Sequence, residues 1–407
     1  NPHAKIINIK EQFMIQEYTM IGKRLLMIPG PIEFTPEVLA EMAKPTLSHT
    51  DPQFIEEFGQ ALEKMRKVWL APNGQPFIIA GSGTLAMEIA AVNITEPGDN
   101  VLILHTGYFS ERMADIFKLH GANVDIVQST VGDLPQIDEV RKKLASKKYK
   151  TLSITHVDTS TGVRADVKAL AAAAQETDTL VVVDGVCAVA GEELRMEEWG
   201  VDIAFTASQK AIGVPPGLAL LVASKKAIEA FKSRKSPVGA YYCDWQYWLP
   251  VMEAYEGRKS AYFGTPAVNL VRALNISLGQ ILDEGMEARF ARHARNAAAF
   301  RAGLSAIGLG FVPMRKEIMA NTLSAVYYPE GTDASILPLI AKNGAMLAGG
   351  LLPAIKTKYF RIGHMGMSDA SEILATLGAI EQGLSTAGYS FEPGASLSAA
   401  QAALMQP

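Results

Sequence analysis

The sequence predicts an α/β protein, with a mainly parallel sheet covered by helices in a large domain and a smaller α+β domain after it. Between residues 76 and 184, short apolar runs rich in Val, Ile and Leu alternate with stretches of helical periodicity, which is typical of βαβ units. Two later apolar runs, 201–207 and 217–224, are separated by a turn too short for a helical crossover. We therefore expect these two runs to form an antiparallel hairpin at one end of the sheet.

The elements follow one another in a regular order. A Pro-Gly-Pro turn at residues 29–31 precedes a helix whose start is indicated by Thr35 and Pro36, because proline is favoured in the first helical turn. The strands of the alternating region are predicted at 76–81, 100–105, 123–128, 151–157 and 179–184. Its helices are predicted at 82–94, 108–121, 135–148 and 166–177. Beyond Tyr241 the chain is aromatic and irregular, and then strongly helical.

These changes along the chain suggest three parts. We expect an N-terminal arm at residues 1–30, a large domain at 31–285 and a small C-terminal domain at 286–407. The large domain contains the alternating region and the hairpin. The small domain contains the remaining helices and short strands.

Composition narrows the classes of function. The chain has 407 residues, of which 48% are hydrophobic and 20% charged, as in globular proteins. A net charge of -4 gives no general attraction to nucleic acid or anionic lipid, and no apolar run reaches the length of a membrane span. Two cysteines are too few for a disulfide framework, so we expect a cytoplasmic protein, with a peroxisomal or mitochondrial location left open. The histidines lack metal-ligand spacing, so no metal site is predicted.

Polar residues follow several of the predicted strands. Ligands bind at the carboxyl ends of the strands in an open parallel sheet, so these residues are expected to meet in one crevice. They are Gly81 to Thr84, Tyr108, Asp158 to Gly162, Asp184, and Gln209 with Lys210.

The segment from Gly81 to Ala86 fits the pattern G-x-G-x-x-A at the start of a helix. Backbone N–H groups and a hydroxyl at a helix N-terminus form an anion site that suits a phosphate. Simple N-capping by Ser82 or Thr84 is the alternative. The next strand ends without the acidic residue that a dinucleotide ribose requires, and the chain has no G-x-x-x-x-G-K-[ST] motif.

Lys210 and Asp184 together indicate a cofactor. The ordinary interpretation of Lys210 is a solvated loop lysine. A lysine at the carboxyl end of a strand, partly removed from water, can instead lose its proton and attack a carbonyl. A carboxylate at the end of an apolar strand needs a cationic or hydrogen-bonding partner, and capping of nearby N–H groups would also satisfy it. A nucleophilic lysine, an aspartate for a pyridinium nitrogen and an anion cradle are the groups that pyridoxal phosphate requires.

The motifs PGP, GSGT, HVDTSTGV, VVVDGV, SQK, YFGTP and FRIG occur in that order along the chain. On these motifs rests a resemblance to the class V, fold type I, pyridoxal-phosphate-dependent aminotransferases, and among them to the alanine–glyoxylate aminotransferases. It implies that Lys210 forms a Schiff base with the cofactor and acts as general base, while Asp184 pairs with the pyridine nitrogen. It assigns the phosphate to Ser82, Gly83, Thr84 and Gln209, the ring hydroxyl region to Thr159, ring stacking to Tyr108, and the substrate carboxylate to Arg361. Tyr262 and Thr265 match residues that reach the cofactor of a neighbouring subunit, so the resemblance implies a homodimer with shared active sites.

The expected reaction is the transfer of an amino group from an L-amino acid, alanine, to a small 2-oxo acid, glyoxylate, which gives glycine. Tyr108 and Thr84 stand where animal members of the family have tryptophan and histidine, which leaves the substrate preference open. Within the fold, a serine–pyruvate or serine–glyoxylate transaminase and a 2-aminoethylphosphonate–pyruvate transaminase are alternatives. Outside it, the alternatives are a cofactor-binding protein without turnover and a dinucleotide-dependent oxidoreductase.

Overall fold

The computed structural model describes residues 24–406, so residues 1–23 of the predicted N-terminal arm lie outside the described residues. The strands are β1 (Leu25–Leu26), β2 (Gln75–Ala80), β3 (Asn100–His105), β4 (Asn123–Gln128), β5 (Thr151–Thr155), β6 (Val157–Asp158), β7 (Val163–Arg164), β8 (Leu180–Asp184), β9 (Ile203–Ala207), β10 (Leu218–Ala223), β11 (Leu323–Tyr327), β12 (Ala345–Met346), β13 (Ala348–Gly349) and β14 (Tyr359–Gly363).

The helices cover the central sheet and the C-terminal strands. They are α1 (Pro36–Met42), α2 (Pro52–Val68), α3 (Gly83–Ile94), α4 (Tyr108–Leu119), α5 (Ile137–Ser146), α6 (Val167–Gln175), α7 (Lys225–Lys232), α8 (Trp245–Glu256), α9 (Val268–Glu284), α10 (Met286–Ala306), α11 (Ile336–Lys342), α12 (Ala370–Thr386) and α13 (Ala395–Leu404).

A seven-stranded sheet forms the centre of the molecule, in the order β2-β10-β9-β8-β5-β3-β4. The pairs from β9 to β4 are parallel, whereas β10 runs antiparallel to both β9 and β2. The predicted α/β class and the predicted antiparallel hairpin are therefore confirmed.

The predicted position of the hairpin at the end of the sheet is wrong, because β2 forms that edge. All six residues of β10 are buried, so the second row of its backbone hydrogen-bonding groups needs a partner, which β2 provides. This pairing places Leu218 opposite Ala80. As a result, the Gly81 N–H donates to the Gly217 carbonyl over 2.8 Å, and the GSGT segment lies beside the turn that contains Lys210.

The aromatic segment after Tyr241 is regular rather than irregular. A 3-10 turn at Tyr241–Cys243 leads into α8, whose first turn is capped by Asp244 through a 2.8 Å hydrogen bond from the Gln246 N–H. Trp245 is fully buried and stacks on Phe77 at a centroid distance of 5.0 Å. Because α8 buries several aromatic rings, its sequence lacks the clear alternation of apolar and polar residues from which a surface helix is predicted.

The C-terminal part contains a three-stranded antiparallel sheet, in the order β11-β14-β13. It has a hydrophobic cluster of its own that includes Phe300, Phe360 and Ile380. Strand β1 pairs with β12, and Met27 belongs to this same cluster, so the described end of the N-terminal arm packs on the C-terminal part. We keep a boundary at Gly285, between α9 and α10, as a proposal supported by the separate clusters.

No helix formed by residues 24–406 is both long enough and apolar enough to cross a lipid bilayer.

Candidate active site

Lys210 lies in a tightly closed turn between β9 and β10. The Gly213 N–H donates to the Lys210 carbonyl over 2.8 Å, and the Val214 N–H donates to the Ser208 carbonyl over 2.9 Å. The Ser208 hydroxyl donates to the Pro215 carbonyl over 2.8 Å. These bonds close the turn on itself and fix the backbone from which the lysine side chain extends.

Arg289, on α10, holds the backbone of the same turn in place. Arg289 is fully buried and donates to the carbonyls of Ala190 (2.7 Å) and Ala211 (2.8 Å). Its Nη1 also donates to a Glu284 oxygen at 2.8 Å, so the charge is paired. Because Ala211 follows Lys210, this arginine anchors the backbone of the lysine turn to α10.

The Pro-Gly-Pro turn covers the lysine side chain. The Lys210 amine donates a hydrogen bond to the Pro29 carbonyl, and a Cβ atom at Gly30 would lie 2.6 Å from Lys210 Cδ and 2.7 Å from Nζ. Gly30 has a φ of 104°, which glycine adopts at little cost. A larger residue at position 30 would therefore be strained by its backbone conformation and would displace the Lys210 side chain.

We expect Gly30→Ala to reduce transamination strongly, because the methyl group must displace the Lys210 side chain. Gly98→Ala is the matched control, since Gly98 has a similar φ of 91° but no atom within 4 Å of its added Cβ. Both variants should lose roughly 1–2 kcal/mol of stability through backbone strain. Only Gly30→Ala should lose activity at temperatures where both remain folded. Equal activity in the two variants would contradict the contact with Lys210.

Asp184 is buried at the end of β8, with 3% of its surface exposed. Burial raises the pKa of this carboxyl to about 7, and the nearby Asp158 adds to that effect. A hydrogen bond from the Val186 N–H (2.9 Å), together with the charges of Lys210 and Arg112, lowers the pKa in opposition. The carboxylate thus lacks a full set of partners among the described residues, as expected of a group that receives a cationic ligand.

The amine of Lys210 lies close to both signs of charge. Burial is the main cause that lowers the pKa of Lys210, and the Arg361 guanidinium lowers it further. The Cys187 thiol and Asp184 act in the opposite direction. The lowered pKa increases the share of neutral amine, which is the nucleophilic form.

The GSGT segment begins α3 beside these two residues. Ser82 is the N-cap, and its hydroxyl oxygen accepts the Leu85 N–H at 3.4 Å, so the capping interpretation holds for this residue. Gly83 packs closely against the residues after Asp184, since an added Cβ would lie 3.2 Å from Val186 Cγ2. The side chains of Ser82 and Thr84 are exposed at the positive end of the helix. Their hydroxyl protons are free to bind an anion there.

Arg361 reaches the crevice from the middle of β14. Its Nε donates to the Gly349 carbonyl over 2.9 Å, and its Nη1 donates to the Thr159 carbonyl over 3.2 Å. Thr159 is itself buried. Two bonds to backbone carbonyls fix the plane of the guanidinium and leave further N–H donors for a carboxylate.

Tyr108 begins α4 on the other side of the crevice. Its N–H donates to the Ser160 hydroxyl over 3.0 Å. The neighbouring Phe109 N–H donates to Asp158, a fully buried carboxylate that also accepts the Ser160 hydroxyl at 2.6 Å. Asp158 thereby caps α4 and fixes the position of Tyr108. The rings of Tyr108 and Phe109 meet edge to face at a centroid distance of 5.4 Å. The stacking of Tyr108 on a cofactor ring remains a prediction.

Of the other predicted residues, Gln209 lies next to Lys210, whereas Tyr262 and Thr265 lie at the surface. Gln209 precedes Lys210, and its side-chain oxygen is buried without a hydrogen-bond partner among the described residues. Tyr262 and Thr265 are exposed, with 66% of the Tyr262 surface accessible. Tyr262 contacts His49 at a ring distance of 5.6 Å, and within residues 24–406 no hydrogen bond joins Tyr262 or Thr265 to Lys210.

Sequence reasoning missed several residues of the crevice. Pro29 and Gly30 were noted only as a turn, Asp158 only as one of a polar group, and Arg112 and Arg289 not at all. Arg112 and Arg289 are found only once α4 and α10 are placed against the crevice. The two-residue spacing from the Asp158 carboxylate to the Ser160 hydroxyl was a local signal that could have revealed the cap.

The fold and the crevice define an aminotransferase. Residues 34–365 match the family model described as aminotransferase class-V, and the chain therefore belongs to this family of pyridoxal-phosphate-dependent enzymes. The sequence-based prediction of the family is confirmed. The match decides against the dinucleotide-dependent oxidoreductase among the alternatives.

Individual relatives place the chain more narrowly. It is 38% identical to alanine–glyoxylate aminotransferase 1 of Saccharomyces cerevisiae, over 86% of this chain and 94% of the relative. It is 34% identical to L-aspartate–glyoxylate aminotransferase of Paracoccus denitrificans, over 94% and 96%. Among solved structures, ureidoglycine–glyoxylate aminotransferase of Bacillus subtilis superposes with a TM-score of 0.87 at 29% identity, covering 94% of this chain and 98% of that one. The chain is thus an aminotransferase similar to enzymes named for glyoxylate.

Proposed function

We propose that this enzyme transfers the amino group of L-alanine to glyoxylate, giving pyruvate and glycine. Glyoxylate is shared by the names of the three relatives above, whereas their amino donors differ. The observation on which the proposal depends most is the convergence of Lys210, Asp184 and Arg361 in one crevice. A nucleophilic amine, an acidic group for a ring nitrogen and a carboxylate clamp are what transamination requires.

The crevice fits pyridoxal phosphate. Asp184 is buried and short of partners, so its carboxylate would accept a hydrogen bond from a protonated ring nitrogen. Ser82, Gly83 and Thr84 would hold the phosphate at the start of α3, with Gln209 beside them. Thr159 and Tyr108 would contact the ring. When bound, the cofactor supplies a ring that accepts the electrons of the bond broken at the substrate Cα.

The remaining steps of the reaction depend on Lys210, Asp184 and Arg361. The neutral amine of Lys210 would hold the aldehyde carbon of the cofactor until the substrate amine displaces it. Its Nζ would then accept the proton from the substrate Cα and deliver it to the carbon that carried the aldehyde. The buried carboxylate of Asp184 keeps its negative charge against a protonated ring nitrogen. Arg361, fixed by Gly349 and Thr159, binds the substrate carboxylate and orients the Cα–H bond toward Lys210.

We propose a homodimer in which Tyr262 and Thr265 of one subunit complete the site of the other. Exposed aromatic rings lie around these residues, namely Tyr241, which is 70% exposed, and Tyr242, and the half-buried Phe263 stacks on Tyr247 at 4.8 Å. A patch of this kind is typical of protein–protein contacts. The patch adjoins the phosphate end of the crevice, because the Tyr242 hydroxyl donates to the Ala80 carbonyl over 3.2 Å.

A half-reaction screen tests the choice of substrates. The enzyme loaded with pyridoxal phosphate is mixed with alanine, serine, aspartate or 2-aminoethylphosphonate, and conversion of the cofactor to its amine form is followed by absorbance. Alanine should convert it fastest, and the amine form should then be reoxidised faster by glyoxylate than by pyruvate. Faster conversion by serine or by the aminophosphonate would overturn the choice of donor, and preference for pyruvate would overturn the choice of acceptor.

A further inference from the structure

Arg112 is a cation that the sequence motifs did not mark. It lies on α4, and its Nη1 donates to the Thr84 hydroxyl oxygen over 3.0 Å. Its guanidinium carbon is 5.1 Å from the centre of the Tyr108 ring and 5.0 Å from that of Phe109. Within residues 24–406, Arg112 forms no salt bridge. The side chain is therefore held in place by a hydroxyl and two rings rather than by a carboxylate.

The direction of the bond to Thr84 follows from chemistry. A guanidinium has donors only, so the Thr84 oxygen must be the acceptor. The hydroxyl proton of Thr84 must then point elsewhere, and it meets no acceptor among the described residues. Thr84 is exposed in the first turn of α3, where the helix dipole favours an anion. Arg112 thus leaves the threonine proton free to bind an anion at the start of α3.

The charge of Arg112 also acts on the crevice. It is one of the groups that lower the pKa of Asp184, so the guanidinium lies near enough to influence the buried carboxylate. Partial burial of Arg112 beside two aromatic rings reduces the screening of its charge by water. An unpaired positive charge in this position favours a ligand with more than one negative charge.

We propose that Arg112 is a positioning residue for the cofactor phosphate, which acts by orienting the Thr84 hydroxyl toward a phosphate oxygen. The proposal rests on the proposed function, since it assumes that the crevice binds pyridoxal phosphate. It adds a residue from α4 to a cradle that otherwise comes from the start of α3 and from Gln209. No covalent step is involved.

The test compares two ligands that differ only in the phosphate. Apoprotein is titrated with pyridoxal phosphate and, separately, with pyridoxal, and binding is followed by absorbance. Arg112→Gln and Thr84→Ala should each weaken binding of pyridoxal phosphate roughly tenfold, as expected for a hydrogen bond to a charged group. The double variant should lose clearly less than the product of the two single losses, because both substitutions remove the same oriented hydroxyl contact. Binding of pyridoxal should change less than twofold.

Two variants serve as controls. Lys118→Gln removes an exposed cation of the same helix, whose nearest carboxylate is Asp115 at 3.4 Å, and it should bind both ligands as the wild type does. Arg112→Lys keeps a donor and a charge and should recover most of the lost affinity, and thermal unfolding of each apoprotein checks that it is folded.

Several outcomes would overturn the proposal. These are unchanged affinity of Arg112→Gln for pyridoxal phosphate, an equal loss for pyridoxal, and losses that multiply in the double variant. A raised KM for L-aspartate with unchanged cofactor affinity would instead assign Arg112 to a substrate's second carboxylate. Failure of the wild type to bind either ligand would refute the proposed function itself, which is a different result from failure of the variant alone.

Discussion

Lys210→Ala should abolish transamination, with kcat lowered by a factor on the order of 10⁴ or more, because the same amine serves as nucleophile and as proton carrier. Borohydride treatment of the wild type with pyridoxal phosphate should attach the cofactor covalently to the peptide containing Lys210. The variant should show no such mass increase. Peptide mass spectrometry and a coupled assay for pyruvate measure the two results.

Lys225→Ala is the matched control for this experiment. Lys225 is exposed at the start of α7, just beyond the end of β10 and at the edge of the sheet opposite Lys210. It should remain active and should label at Lys210 like the wild type. Labelling of another lysine, or activity within tenfold of wild type in Lys210→Ala, would show that the assignment of the nucleophile is wrong.

Asp184→Asn should have opposite effects on activity and on the stability of the cofactor-free protein. An asparagine of nearly the same shape cannot hold a ring nitrogen in its protonated form, so kcat should fall roughly 10²- to 10³-fold. In the cofactor-free protein, however, the substitution removes a carboxylate that is buried with few partners. The variant should therefore unfold at a higher temperature than the wild type at neutral pH.

The stability difference should depend on pH with a definite sign. Folded Asp184 keeps its proton up to about pH 7, whereas the ordinary value of 3.8 applies in the unfolded chain. The folded state therefore binds more protons between these values, and the contribution of this residue to stability falls as pH rises from about 4 to 7. The advantage of Asp184→Asn should be near zero at pH 4 and reach a few kcal/mol above pH 7.

Asp202→Asn separates burial from function. Asp202 is also buried with a raised pKa, but it precedes β9 at the opposite edge of the sheet and accepts the Val181 N–H at 2.9 Å. Its substitution should change stability and leave kcat within twofold of wild type. Thermal melts of cofactor-free proteins from pH 4 to 8 provide the measurement. A stability advantage of Asp184→Asn that declines with rising pH would contradict the assigned state of Asp184.

Much of the fold could be predicted because its signals are local. The bounds of β3 and β4 agree with the predicted ranges, since each strand is a short run bounded by turn residues. The pairing of β2 with β10 could not be predicted in this way, because it joins segments far apart in the chain. Helix α8 was missed because its buried aromatic rings mask the period of a surface helix.

The residues of the site also differ in whether their signals in the sequence are local. Lys210 and Asp184 were accessible to sequence reasoning because chemistry at the end of a strand is visible in the sequence. Arg112 and Arg289 act from helices, and a charged residue on a helix looks like a solvated surface group until the helix is placed. Gly30 belongs to a recognisable turn, yet its contact with Lys210 depends on folding the start of the chain across the sheet.

The contact between Lys210 and Pro29, together with Arg361, brings residues from the start of the described chain and from its C-terminal part into one crevice. A ligand bound there is linked to folding of the whole protein, since neither Pro29 nor Arg361 can reach Lys210 until the intervening domains have formed. Ligand at 100 times its Kd stabilises the folded state by about 2.7 kcal/mol. Cofactor supply would then govern how much enzyme survives proteolysis in a cell, as well as how much of it is active.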